Sequence, residues 1–85
     1  MTTPIFTQIT IIGLGLIGSS VARAVRDNRL AEKIVGYDHN EISIAFALKE
    51  KFIDSGDMDL PSAVFGSDLV IIATPPATLG EIAQE

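Results

Sequence analysis

Residues 8–18 read Gln8-Ile9-Thr10-Ile11-Ile12-Gly13-Leu14-Gly15-Leu16-Ile17-Gly18. The first five form a short, β-branched run stopped at once by glycine, which is the pattern of a buried strand and not of a helix segment. From Leu16 the period changes. Ile17, Val21, Ala24 and Val25 recur at helical spacing, with Arg23, Arg26 and Asp27 on the opposite side. The stretch therefore predicts a strand, a glycine turn and a helix from about Gly15 to Asn28.

Working outward, Lys33-Ile34-Val35-Gly36-Tyr37 is a second apolar run, ending on the polar group Asp38-His39-Asn40. The unit is β-α-β, and a right-handed crossover makes its two strands parallel neighbours. Asn40 is placed to cap a second helix through Lys51, with Ile44, Ala47, Leu48 and Phe52 as its apolar stripe. Gly56 and the acids around it mark an exposed turn or a very short third strand. Leu60 to Phe65 reads as a short helix starting near Pro61, a favoured first-turn residue. Leu69-Val70-Ile71-Ile72-Ala73 is the most strand-like run of the chain. Thr74-Pro75-Pro76 ends it, and Ala77 to Glu85 opens a further helix with Leu79 and Ile82 inward.

These elements predict an α/β fold: a parallel sheet with helices on both faces, strand order 3-2-1-4, the N-terminal half of a Rossmann-type domain. Residues 1–85 would then be the first portion of that domain. The helical pattern reaches Glu85 without a glycine or proline stop, and the fourth strand would be an unpaired edge. More of the domain is expected beyond Glu85.

The spacing Gly13-x-Gly15-x-x-Gly18 is common by itself, but its context here is specific. A strand precedes it, a helix opens inside it, and a second strand ends on an acid 20 residues after Gly18. Gly13 would permit the tight turn, Gly15 would let a pyrophosphate approach the backbone, and Gly18 would let the helix pack closely. Leu14 is read as cofactor-binding with the rest of this loop, and amides near Leu16 and Ile17 would point at the phosphates, aided by the helix dipole. The alternative is a glycine turn without a ligand. Asp38 would accept hydrogen bonds from the adenosine ribose and repel a 2′-phosphate, which favours NAD over NADP; its alternative is a turn or cap carboxylate. His39 could lie beside the adenine or stand in solvent. Thr74 and Pro75 follow the fourth strand at the ligand-binding edge and would border the nicotinamide-side ribose.

Composition narrows the classes further. An 85-residue chain makes at most one small domain, one that buries only about 60–65% of its unfolded surface. Hydrophobic content of 47% and charged content of 20% fit a globular chain. With no cysteine there is no disulfide, thiolate nucleophile or thiolate metal site. No apolar run is long enough to span a membrane, and Met1-Thr2-Thr3-Pro4 lacks a signal peptide's basic region. A cytoplasmic location is expected. A net charge of −5 argues against nucleic-acid binding but not against a nucleotide held by backbone amides. Asp54, Asp57 and Asp59 do not fit a calcium loop, because the twelfth position from Asp54 is Phe65. They read as a solvated acidic turn, as Arg23, Arg26 and Arg29 read as a solvent-exposed basic stripe. No metal site is expected.

Taken together, Gly13-Leu14-Gly15-Leu16-Ile17-Gly18-Ser19-Ser20, Gly36-Tyr37-Asp38-His39-Asn40 and Leu69-Val70-Ile71-Ile72-Ala73-Thr74-Pro75 resemble the N-terminal domain of prephenate dehydrogenases, including arogenate and cyclohexadienyl forms. The resemblance covers nearly the whole chain but only the first part of a family member. It implies an NAD-linked oxidative decarboxylation of prephenate, or oxidation of arogenate, in tyrosine biosynthesis. It also implies a homodimeric parent joined through a helical C-terminal domain. The family's catalytic histidine follows the fourth strand, and His39 does not match it. The catalytic residues are therefore expected outside this chain, and the fragment is expected to be inactive alone. Competing expectations are a dehydrogenase or reductase of the 3-hydroxyacid dehydrogenase or pyrroline-carboxylate reductase kind, and a module that senses NAD without hydride chemistry.

Overall fold

The computed structural model describes residues 4–74 of the chain. Seven elements follow one another: β1 (Phe6–Ile12), α1 (Leu16–Asp27), β2 (Ala31–Tyr37), α2 (Glu41–Lys49), β3 (Ser55–Asp57), α3 (Leu60–Val64) and β4 (Leu69–Ile72). The strands form one parallel sheet in the order β3-β2-β1-β4, as the sequence predicts. The third strand is real but only three residues long. The expected helix over 77–85 lies outside the described residues.

Alternation along β1 sorts its side chains between the two faces. Ile9 and Ile11 join Ile34, Leu14, Ala22, Val25, Ile44, Ala47 and Ile53 in the core beneath α1 and α2. Thr10 points the other way, fully buried, and its hydroxyl donates to the Ala63 carbonyl at 2.9 Å. That bond sets α3 on the opposite face and satisfies a group that would otherwise destabilise the core. Gln8 Nε2 donates to the Phe65 carbonyl at 3.2 Å, and Asp68 Oδ2 accepts from Thr7 N at 2.6 Å. The chain entering β4 is thus tied to β1 before the two strands pair.

Helix ends follow local chemistry. Asn40 Oδ1 accepts from Ile42 N at 2.9 Å, so Asn40 caps α2 as expected. Asp59 Oδ2 accepts from Ser62 N at 2.9 Å and caps α3, with Pro61 in its first turn.

Three surface expectations need correction. The buried face of α1 is Gly18, Ala22 and Val25, with Val21 partly buried and both Ile17 and Ala24 exposed. The helix is rotated because it makes its closest approach at Gly18, where no side chain intervenes. Leu48 of α2 is likewise exposed. The acids at 54, 57 and 59 are not simply solvated, since each accepts a backbone amide: Asp54 from Ile34, Asp57 from Asp59, and Asp59 from Ser62. The arginines at 23, 26 and 29 are solvent-exposed, as expected. Arg23 lies 5.5 Å from the Phe52 ring centroid, Arg26 pairs with Asp54 at 3.0 Å, and Arg29 sits past the helix in a left-handed turn. Among the described residues no group of acids or histidines could hold a metal ion.

Candidate dinucleotide site

The carboxyl ends of β1, β2 and β4 meet at one edge of the sheet, and every described candidate residue lies there. Gly13 leaves β1 with φ +97°, a conformation that a side chain strongly disfavours, and its amide donates to the Tyr37 carbonyl at 2.8 Å. The expected tight turn is therefore present, and it is bonded to the end of β2. A Cβ at Gly13 would also press on Thr74, whose amide nitrogen would lie 3.2 Å away.

Gly15 is the residue before α1, in extended geometry and without a side-chain cap. A Cβ there would meet nothing within 4 Å. The loop is open on this side, so a ligand can reach the backbone. The first backbone bond of the helix runs from Ser19 N to Gly15 O at 2.9 Å. The amides of Leu16, Ile17 and Gly18 consequently have no intrahelical acceptor, as at any helix start, and carry the positive end of the α1 dipole. Leu16 and Ile17 present their side chains to solvent, which leaves their amides as the polar groups of this turn. Gly18 is closed where Gly15 is open. A Cβ at Gly18 would overlap the Gly13 carbonyl oxygen and lie 2.8 Å from its carbon. The third glycine serves close packing as expected, although what it packs against is the turn itself.

Asp38 follows β2 with its side chain 12% exposed. One oxygen, Oδ2, accepts from Leu14 N at 2.8 Å, and the other, Oδ1, accepts from Asn40 N at 2.8 Å. The acid is both a turn carboxylate and a fixed group at the loop, and each oxygen keeps a lone pair for a hydroxyl donor. Leu14 differs from the sequence expectation. Its side chain is buried in the core and its amide is taken by Asp38, so it holds the loop from behind. His39 is 82% exposed, with Nδ1 3.8 Å from Asp38 Oδ1. Thr74 is half-buried beside Gly13, and its hydroxyl oxygen is buried without a hydrogen-bond partner among the described residues. A buried hydroxyl in that condition, at a ligand-binding edge, fits a site completed by a polar ligand. Pro75 lies outside the described residues.

Sequence reasoning missed the Leu14–Asp38 bond, because neither spacing nor propensity reports which amide a carboxylate will accept.

A strand, a glycine turn opening a helix, a second strand ending on a fixed acid and a switch of strand order beside them define a dinucleotide-binding α/β domain of the Rossmann class. The family model for the prephenate dehydrogenase nucleotide-binding domain matches residues 21–85. The chain belongs to that family. A prephenate dehydrogenase of Bacillus subtilis is 40% identical over 67 residues, which are 79% of this chain and 18% of that protein. A cyclohexadienyl dehydrogenase of Zymomonas mobilis is 37% identical over 79 residues, covering 93% of this chain and 27% of that protein. The chain thus spans well under a third of these relatives. Among solved structures, prephenate dehydrogenase from A. aeolicus in complex with hydroxyphenyl propionate and NAD+ superposes with a TM-score of 0.82 at 35% identity, covering 91% of this chain and 27% of that one. A scyllo-inositol dehydrogenase from Lactobacillus casei, at 23% identity and a TM-score of 0.68, shares the fold alone.

Proposed function

We propose that this chain is the N-terminal, NAD-binding part of a dehydrogenase that oxidatively decarboxylates prephenate or oxidises arogenate. The observation that carries the cofactor assignment is the pairing of open backbone at Gly15 with a carboxylate at Asp38 fixed 2.8 Å from the Leu14 amide. The relatives' names and the NAD+ complex of the A. aeolicus protein support the same ligand and reaction.

In this proposal the free amides of Leu16, Ile17 and Gly18 bind the pyrophosphate, with Gly13 and Gly15 giving it access. Asp38 accepts from the adenosine ribose hydroxyls and disfavours a 2′-phosphate. His39 stands at the adenine side. Thr74, whose hydroxyl has no partner among the described residues, and Pro75 border the nicotinamide half. When bound, NAD supplies the hydride acceptor. The residues of this chain bind and orient; the group that deprotonates the substrate hydroxyl belongs to the part of the protein beyond residue 85.

The same proposal covers a small-molecule substrate, a homodimeric parent and a cytoplasmic location. Among the described residues no helix is long and apolar enough to cross a membrane. The test is NADH formation by the full-length protein with prephenate and with arogenate, alongside calorimetric titration with NAD and NADP. Turnover of one substrate with NAD preferred is expected. Absence of turnover with both would overturn the reaction, and equal affinity for the two dinucleotides would overturn the role of Asp38.

A further inference from the structure

Across the sheet, one row of paired residues runs Gly56, Gly36, Ile11, Ile71. On the face beneath α1 and α2 the two glycines leave a recess, and the side chains of Ile44, Leu14 and Ile53 fill it. Ile44 of α2 lies over Gly56, where a Cβ would overlap its Cγ2. Leu14 lies over Gly36: a Cβ there would come within 2.8 Å of Leu14 Cδ1, 3.0 Å of Leu14 Cδ2 and 2.8 Å of Ile53 Cδ1. Gly36 sits in ordinary extended strand geometry, so what bars a side chain is space and not backbone strain. Such close-packed seats transmit displacement, because both Leu14 and Ile53 are buried.

We infer that Gly36 is a positioning residue for the dinucleotide site, acting through Leu14. The Leu14 side chain, seated in the recess over Gly36, fixes the same residue's amide, and that amide holds Asp38 Oδ2 at 2.8 Å. Gly15 is the next residue of the loop. Seating one side chain therefore sets the pyrophosphate turn and the ribose acid in a single relationship, although Gly36 itself touches neither ligand half. A side chain at position 36 would lift Leu14, lengthen or break its bond to Asp38, and misalign the two halves of the binding surface.

This inference rests on the NAD assignment for its binding readout, so its test also carries a readout that needs no ligand. In the full-length protein, selectively labelled with 15N-leucine, Gly36→Ala is compared with wild type and with Gly36→Ala/Leu14→Val, which removes two of the three methyls that Ala would strike and leaves Cδ1 of Ile53 in place. For Gly36→Ala the expected results are a shift of the Leu14 amide resonance away from its carboxylate-bonded position and a loss of NAD affinity of about tenfold. The double variant should recover most of that affinity. A Leu14 resonance that stays in place overturns the inference, as does a double variant that folds but binds as weakly as the single one. If Gly36→Ala does not fold, the double variant is compared with wild type instead: NAD affinity near that of wild type supports the inference, and a loss of about tenfold or more overturns it. Failure of wild type to bind NAD would instead remove the cofactor assignment and leave the resonance to decide the positioning role.

Discussion

The backbone amide of Leu14 donates to Oδ2 of Asp38 over 2.8 Å, joining the turn after β1 to the acid after β2 across 24 residues of chain. The loop proposed for the pyrophosphate and the acid proposed for the ribose are thereby held by one charge-assisted bond. Asp38→Asn tests its weight. An amide retains an acceptor oxygen but carries no charge and presents an NH2 toward one of two backbone N–H donors. NAD affinity should fall about tenfold, and discrimination against NADP should narrow, as the repulsion of a 2′-phosphate disappears. Calorimetric titration of both dinucleotides measures this, and an unchanged ratio of the two affinities would count against it.

A second carboxylate divides its work unequally. Asp54 Oδ1 pairs with Arg26 at 3.0 Å, but Oδ2 accepts from Ile34 N at 2.7 Å, one step before the β2–β3 ladder begins at Val35 and Ser55. The ion pair is substantially exposed, so Arg26→Ala should cost at most about 1 kcal/mol. Asp54→Ala strands a strand amide as well and should cost about 1–3 kcal/mol. Urea unfolding of the two variants gives the ordering; a larger loss for Arg26→Ala would contradict it.

How much of this was legible in the residues follows from the range of the forces involved. Short-range chemistry read correctly: the turn at Gly13, the cap at Asn40, the first-turn proline at Pro61 and the parallel order of the strands all depend on neighbours in sequence or on crossover handedness. The tilt of α1 did not. Ile17 looked inward by spacing, yet contact at Gly18 turns the helix so that Ala22 and Val25 face the sheet and Ile17 faces out. Arg26 and Asp54 lie 28 residues apart, and no local pattern announces their pairing. Asp38 could be picked out as the candidate acid because it ends a strand at a set distance from the glycines. Its anchoring by Leu14 required coordinates, since the side chain that fixes that amide is seated over a glycine whose vacancy is invisible in composition.

Stability toward acid should depend on Asp57. Hydrogen bonds from Ser62 and from the Asp59 amide, the latter at 2.9 Å, hold its carboxyl below the usual aspartate value. A group whose folded pKa is depressed stabilises the fold above its ordinary pKa and ceases to do so as pH falls through the folded value. Wild type should accordingly lose this contribution below about pH 4. Asp57→Asn should be less stable than wild type at neutral pH and converge with it in acid. Thermal melts at several pH values would show this, and a gap between the two that widens on acidification would refute the assignment.

Gly15 and Gly18 separate binding from folding within one turn of chain. Both belong to the same motif, yet a Cβ at Gly15 meets nothing within 4 Å, while one at Gly18 overlaps the Gly13 carbonyl. That carbonyl cannot easily retreat. The Gly13 amide is bonded to Tyr37 O at 2.8 Å and its Cα faces Thr74. Gly18→Ala should therefore lower stability by about 1–3 kcal/mol, the usual cost of forcing extra volume into a packed site. Gly15 already has φ −72°, which alanine adopts without strain. Gly15→Ala should hold stability or raise it by up to about 1 kcal/mol through the unfolded chain, while its new methyl stands where the pyrophosphate must approach. NAD affinity should then fall at least about tenfold in a protein that folds as well as wild type. Urea unfolding and NAD titration of both variants resolve the two effects. Undiminished binding by a folded Gly15→Ala protein would mean that the open side of Gly15 is not the path of the phosphates.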